Sequence, residues 1–250
     1  MFHLTVFSAS QPSSTSALTN IVPVSDPSIR INGNFLYVPT VVPNFLGAYA
    51  WGAQLTQAQL QSPSLRQFAL YDIAPIDKNT DPANPQAFAP RFLSPYALQP
   101  NEALQCLTTT TGATSGQANV AVWFADGPAA ETDGSIITVR FTATNGSATY
   151  TWNNAAITLS QNLPVGTYTC VGARVEGAHT DLFRFYPVGA TVRPGGLAVT
   201  TAAIPDPYLQ RYGRMGAWFT FDQLVLPSID LFASTGSDSI VGYLDLIKNS

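Results

Sequence analysis

The chain has 250 residues, of which 46% are hydrophobic and only 10% charged, with 19 prolines, 18 glycines and a net charge of −4. At this length a chain buries about three quarters of its unfolded surface, so a stable core needs neither disulfides nor a metal. Two lysines, Lys78 and Lys248, and the absence of any basic cluster argue against direct contact with nucleic acid, whose phosphates demand Lys and Arg. Soluble domains carry roughly 25% charged residues. A surface this poor in charge tends to self-associate and is expected where neighbouring subunits cover much of it.

The start, MFHLTVFSAS, lacks the basic region and long apolar run of a secretory signal. Ser8 to Thr19 (SASQPSSTSALT) is polar and of low complexity, and reads as an uncharged flexible arm. Asn32-Gly33 lies between Ser28 to Ile31 and Asn34 to Val38, which predicts a type I′ hairpin with positive φ at two consecutive residues. The longest apolar run, around Phe45 to Ala53, contains two glycines and is too short to span a membrane as a helix, so it predicts a buried strand. Leu55 to Gln61 carries a helical signal. Next, PNEALQCLTTTTG (Pro100 to Gly112) leads into the strand QANVAVWFAD, where Val120, Val122 and Phe124 share one face and Trp123 the other.

A Gly/Pro/acid linker, Gly127 to Gly134, separates the halves. Ile137, Val139, Phe141 and Ala143 then alternate with Thr138, Arg140 and Thr142, the pattern of a strand with one face in a core. Asn145-Gly146 predicts a second I′ hairpin, joining Ile136 to Thr144 with Ser147 to Trp152. Phe183 and Phe185 flank Arg184, and Phe219 and Phe221 alternate with Thr220 and Asp222, again as strands, with Trp218 placed opposite the apolar face. Asp206 to Tyr212 is a second short helical stretch, opened by Asp206-Pro207 in the manner of a capped first turn. PSIDLFASTG (Pro227 to Gly236) followed by SIVGYLDLI repeats the ending of the first half, although Leu163-Pro164 to Cys170 offers a competing match.

Neither helical stretch could form a layer, so the fold is all-β. Many short strands joined by long Pro/Gly-rich connections suit two jelly rolls in tandem, over 1–127 and 128–250. One embellished jelly roll is the alternative, and an immunoglobulin-like sandwich a further one, since Trp123 and Trp152 lie between Cys106 and Cys170. Both cysteines sit in alternating apolar segments and read as buried small hydrophobes.

Signs of catalysis are sparse. Two histidines, His3 and His179, make a multi-histidine metal site untenable, and no nucleophile elbow, P-loop or dinucleotide fingerprint occurs. His179 with Asp181, or Glu176 with Asp181 as a glycosidase pair, fall on a turn where such residues ordinarily solubilise. The chain therefore reads as no enzyme, with no cofactor. Trp51, Trp123, Trp152 and Trp218 could form a sugar-stacking platform, but core or interface packing is the more ordinary role of such residues. The Asn145-Gly-Ser sequon is accounted for by turn chemistry. Arginine outnumbers lysine nine to two. Arg184, Arg193, Arg211 and Arg214, interleaved with Tyr186, Tyr208 and Tyr212, form the densest cluster and are candidate intersubunit contacts together with Trp123 and Trp218.

The runs DLFRFYPVGATVRPGGLAV, RYGRMGAWFTFDQLVLPSIDLFAS and GYLDLI, with NEALQCLTTTTGATSGQANVAVWFADG in the first half, resemble small major capsid proteins of tailless icosahedral phages, in the PRD1–adenovirus lineage. The resemblance is one of texture over about half the chain. It implies two upright jelly rolls, trimers of pseudo-hexagonal outline, neighbouring capsomers and other capsid proteins as partners, often an internal lipid membrane, and location in the virion after synthesis in the host cytoplasm.

Overall fold

Among the described residues twenty strands carry nearly all the regular structure, as the period-two alternation predicts. The computed structural model describes residues 1–11, 17–52, 54–68, 71–76, 94–111 and 116–249. It divides into two compact units, Leu4–Gly127 and Met1–His3 with Pro128–Ser250.

The first unit contains β1 (Phe2–Gln11, whose first two residues count with the second unit), β2 (Thr19–Pro23), β3 (Ile31–Asn32), β4 (Phe35–Tyr37), β5 (Asn44–Trp51) and β6 (Leu55–Gln61). A single short helix, α1 (Pro63–Phe68), precedes β7 (Tyr71–Ile73), β8 (Pro75–Ile76), β9 (Tyr96–Ala97), β10 (Ala103–Thr110) and β11 (Gly116–Ala125). One run of neighbours is β1-β11-β5-β9, and the other is β2-β10-β6-β7. Strand β2 turns the corner between them, pairing with β1 at Val22 and Pro23 and with β10 from Thr19 to Ile21.

The second unit contains β12 (Ile136–Asn145), β13 (Trp152–Ala156), β14 (Thr158–Leu159), β15 (Thr167–Glu176), β16 (Thr180–Tyr186), β17 (Gly195–Leu197), β18 (Phe219–Asp222), β19 (Ser228–Ala233) and β20 (Asp238–Lys248). They form two sheets, ordered β14-β12-β20-β15-β18 and β13-β19-β16-β17. Leaving aside β3, β4, β8 and β14, each unit has eight strands with one connectivity. The first, eighth, third and sixth lie side by side, and so do the second, seventh, fourth and fifth.

Alternation along β16 sends Phe183 and Phe185 into an aromatic core. Phe185 meets Phe141 of β12 at 6.1 Å and Phe219 of β18 at 5.1 Å between ring centroids, so this core lies between the two sheets. Phe183 stacks on Trp218 at 6.3 Å, and Phe2 meets the same indole edge-on at 5.0 Å. Edge-to-face and offset pairs of this kind add about 0.5–1.5 kcal/mol each beyond area burial.

Several local expectations are corrected. Leu55 to Gln61 is strand β6, because β10 offers a ladder along it from Gln61 to Leu55 and Ala58 and Leu60 are buried there; tertiary pairing overrides the helical signal of this Gln-rich stretch. The Asn32-Gly33 hairpin forms, but Asn32 pairs with Phe35 and only Gly33 takes a positive φ, +59°, the φ pattern of a II′ turn with glycine first. No hairpin forms at Asn145-Gly146: Asn145 ends β12 opposite Asp238, and the chain crosses to the other sheet, where β13 pairs with β19. The stretch from Asp206 holds one 3-10 turn, Tyr208–Gln210, with no side-chain cap. Of the expected arm, Ser8 to Gln11 belong to β1, and Ser8 donates to Asn119 Oδ1 at 2.7 Å; residues 12–16 lie outside the described residues.

Cys106 and Cys170 are free and fully buried, and burial pushes both thiols far above their ordinary value. The neutral thiol is thus favoured in the fold, and its contribution to stability is present below the unfolded pKa near ~8.5 and lost as pH rises beyond it. Iodoacetamide at pH 8 should leave both unmodified in native protein and label both in guanidinium, as mass spectrometry would read. Rapid native labelling of either would contradict this packing.

Candidate assembly surface

Three of the four arginines singled out from the sequence, Arg184, Arg193 and Arg211, are held by two buried carboxylates of the second unit. In β16, Arg184 and Tyr186 point away from the face carrying Phe183 and Phe185. Arg184 stands in register with Asp230 of β19 and donates from Nε to its Oδ2 at 2.9 Å, with its guanidinium 4.0 Å over the Trp152 ring. Arg193 donates from Nη1 to the same oxygen at 2.8 Å and lies 4.2 Å over the Tyr186 ring. Asn154 of β13 donates to the other oxygen, Oδ1, at 2.7 Å. Asp230 therefore gathers three donors from three segments, which answers the desolvation of a buried carboxylate.

Asp245 of β20 gathers four. Arg211 forks onto it, Nε to Oδ2 at 2.7 Å and Nη2 to Oδ1 at 2.9 Å, joined by the Tyr212 amide at 3.0 Å and the Thr138 hydroxyl at 2.8 Å. Arg211 also donates from Nη1 to Asp206, which accepts from Arg174 as well. Burial works against the charge on Arg211, but its hydrogen bond to Asp245 and the charges of Asp245 and Asp206 outweigh this and raise its pKa above the ordinary value. Gly172 of β15 makes the close approach possible: a Cβ there would meet the Gln210 carbonyl oxygen at 2.8 Å and the Arg211 Cα at 2.9 Å.

These contacts revise the expected interface. Arg184, Arg193 and Arg211 are buried and engaged within the chain. With so few lysines, the cations are planar forks matched to carboxylates instead of a solvated coat. Trp123 and Trp218, at 0% and 1% exposed, are core residues and can neither touch a neighbour nor stack on a sugar. Trp123 was expected outside because one face of its strand is aliphatic, yet β11 lies between β1 and β5 and is buried along Ala118–Ala125 on both faces. Trp51 is buried too, and the Trp152 ring lies under Arg184. Tyr186 and Tyr212 do remain exposed, and half-exposed Arg214 reaches Glu131 at 2.6 Å. Tyr208 opens the 3-10 turn. The residues considered for catalysis have plain structural partners: His179 Nδ1 shares a hydrogen bond with the Thr235 hydroxyl at 2.9 Å, and Ser234 donates to Asp181. Among the described residues no three His, Cys, Asp or Glu side chains group to hold a metal.

Sequence reasoning missed the end of the second unit where three connections meet. Gln223 donates its amide to the Gly166 carbonyl, and Tyr186 stands opposite Ser228, so the loops 160–166, 187–194 and 223–227 share that end. Their tips are aliphatic: Val165, Val188 and Leu224 are 81%, 73% and 81% exposed. Arg193, which is buried, is the one ionisable residue in the three loops. The signal was the run of uncharged Pro/Gly turns, Leu163-Pro-Val-Gly, Pro187-Val-Gly and Leu224-Val-Leu-Pro, which sequence alone reads as ordinary connections.

No protein-family model matches this chain, and no curated protein matches it. Among solved structures it is similar to the crystal structure of the major capsid protein P2 from bacteriophage PM2, at 11% identity over 97% of this chain and 99% of that one, with a TM-score of 0.23. A score that low carries no inference about fold or function.

Breaking a buried ion pair by removing one partner costs about 3–5 kcal/mol. Asp245→Ala should therefore lower stability by about that amount, read by urea denaturation, whereas truncating exposed Arg214 should change it by less than about 1 kcal/mol. Equal effects at the two sites would contradict the placement of Asp245.

Proposed function

We propose that this chain is a structural virion protein that assembles with copies of itself into the icosahedral shell of a tailless virus, built as two jelly rolls with boundaries near 1–127 and 128–250. The observation that carries the reading is the shared strand succession: first-eighth-third-sixth beside second-seventh-fourth-fifth, in both units. That succession is two nested Greek keys, the arrangement of a jelly roll. Among the described residues neither unit brings together a constellation suited to catalysis, and the reading is non-enzymatic.

Surface chemistry supports assembly as the task. Charged residues are 10% of the chain, and four of its nine arginines, Arg174, Arg184, Arg193 and Arg211, are spent on Asp206, Asp230 and Asp245. An end tipped by the exposed aliphatic side chains Val165, Val188 and Leu224 is an exposure that association relieves. Trimers, neighbouring capsomers, other capsid proteins and an underlying lipid membrane are the partners that the sequence resemblance implies, with the virion as location and no direct contact with genome. A glycan-binding module on the four tryptophans is disfavoured, since three of them are buried.

Purified protein should form trimers or larger particles in multi-angle light scattering, and closed or sheet-like assemblies in electron micrographs. A strict monomer at high concentration would overturn the proposal.

A further inference from the structure

The two edges of the sheet β13-β19-β16-β17 are treated differently. At β17 the side-chain amide of Gln210 takes the place of another strand, accepting from the Leu197 amide at 2.6 Å and donating to its carbonyl at 3.0 Å. The strand itself is three residues long and buried. At the other edge, β13 runs five residues, is partly exposed along its length, and pairs with β19 alone; no strand of the described residues lies on its outer side. In an antiparallel ladder alternate residues turn their amide and carbonyl away from the partner strand. Part of the β13 backbone is therefore left to face outward.

Natural proteins protect such an edge with charge, proline, a bulge or a short strand. The sequence of β13, WNNAA, has no charge and no proline, and its register with β19 is continuous. It lies inside a run of 22 residues, Asn145 to Gly166, without an Asp, Glu, Lys, Arg or His. Beside it opens a cleft of about 560 Å³, lined by Thr142, Thr144, Asn154, Ala155, Ala156 and Thr158, which leaves room for the side chains of an added strand.

We infer that β13 pairs edge to edge with β13 of a second copy, antiparallel about a two-fold axis. An added strand gains affinity from backbone hydrogen bonds and needs no complementary pocket. A self-pairing strand must in addition meet its own side chains, so any charge near its middle would face its mate. The uncharged run satisfies that condition for the copy, whereas a partner recognised by charge would find nothing to bind. This deepens the shell reading and rests on it, since it names one contact by which the copies join.

Two measurements test the pairing. In wild-type protein, amide hydrogen exchange at Asn153 to Ala156 should slow at least about tenfold between dilute and concentrated samples, a change of about 1.4 kcal/mol. Ala155 sits near the strand middle, so a charge there falls within about 7 Å, two residue rises, of its symmetry mate. Ala155→Lys and Ala155→Glu, each checked by circular dichroism, should separately weaken association at least about tenfold, and mixing the two should restore it. Assembly of wild type with unchanged exchange at β13, or no restoration on mixing, overturns the pairing while leaving the shell reading intact. A wild type that never assembles overturns both.

Discussion

The grip of Arg211 on Asp245 ties the longest connection of the second unit to the middle of its sheet. Asp245 belongs to β20, which lies between β12 and β15. Its side chain alternates with Leu244 and Leu246, which are buried, so it emerges on the other face of that strand. The segment between β17 and β18 carries Gln210, Arg211 and Tyr212; that carboxylate takes the fork of Arg211 and the amide of Tyr212, while Asp206 links Arg211 to the guanidinium of Arg174. With Arg211 so held, Gln210 is in place to close the β17 edge.

A second consequence is the way charge is distributed. The buried carboxylates Asp230 and Asp245 are paired with arginines that would otherwise lie on the surface, which keeps both ions satisfied in a dry setting and leaves few cations outside. A surface poor in charge joined to aliphatic loop tips and an unprotected strand edge would be a solubility hazard in a monomer. In a protein that assembles, the same features are what the neighbour covers. Stability and association are in this sense linked through one choice of residue, arginine over lysine.

Much of the strand content was legible because alternation with period two is a local signal, and β12, β16 and β18 read directly from Ile137 to Ala143, Phe183 to Phe185 and Phe219 to Phe221. What misled was chemistry that is local in appearance and non-local in outcome. Gln-rich β6 looks helical until β10 supplies its ladder, and Asn145-Gly146 looks like a hairpin although the partners of β12 and β13 come from the end of the chain. Trp123 looked exposed because its strand has an aliphatic opposite face, yet β11 is buried on both faces from Ala118 to Ala125.

The arginine cluster shows the division best. By itself the sequence determined that this is a β protein of unusually low charge, with an arginine-rich stretch from Arg184 to Arg214, since composition and period-two patterning are properties of neighbouring residues. Only the tertiary structure decided that Arg184, Arg193 and Arg211 turn inward to Asp230 and Asp245, and that β13 is the edge left open. Those outcomes depend on strands 30 to 110 residues apart coming into register, as Arg184 does with Asp230 and Thr138 with Asp245, and no local pattern encodes which carboxylate a distant guanidinium will meet.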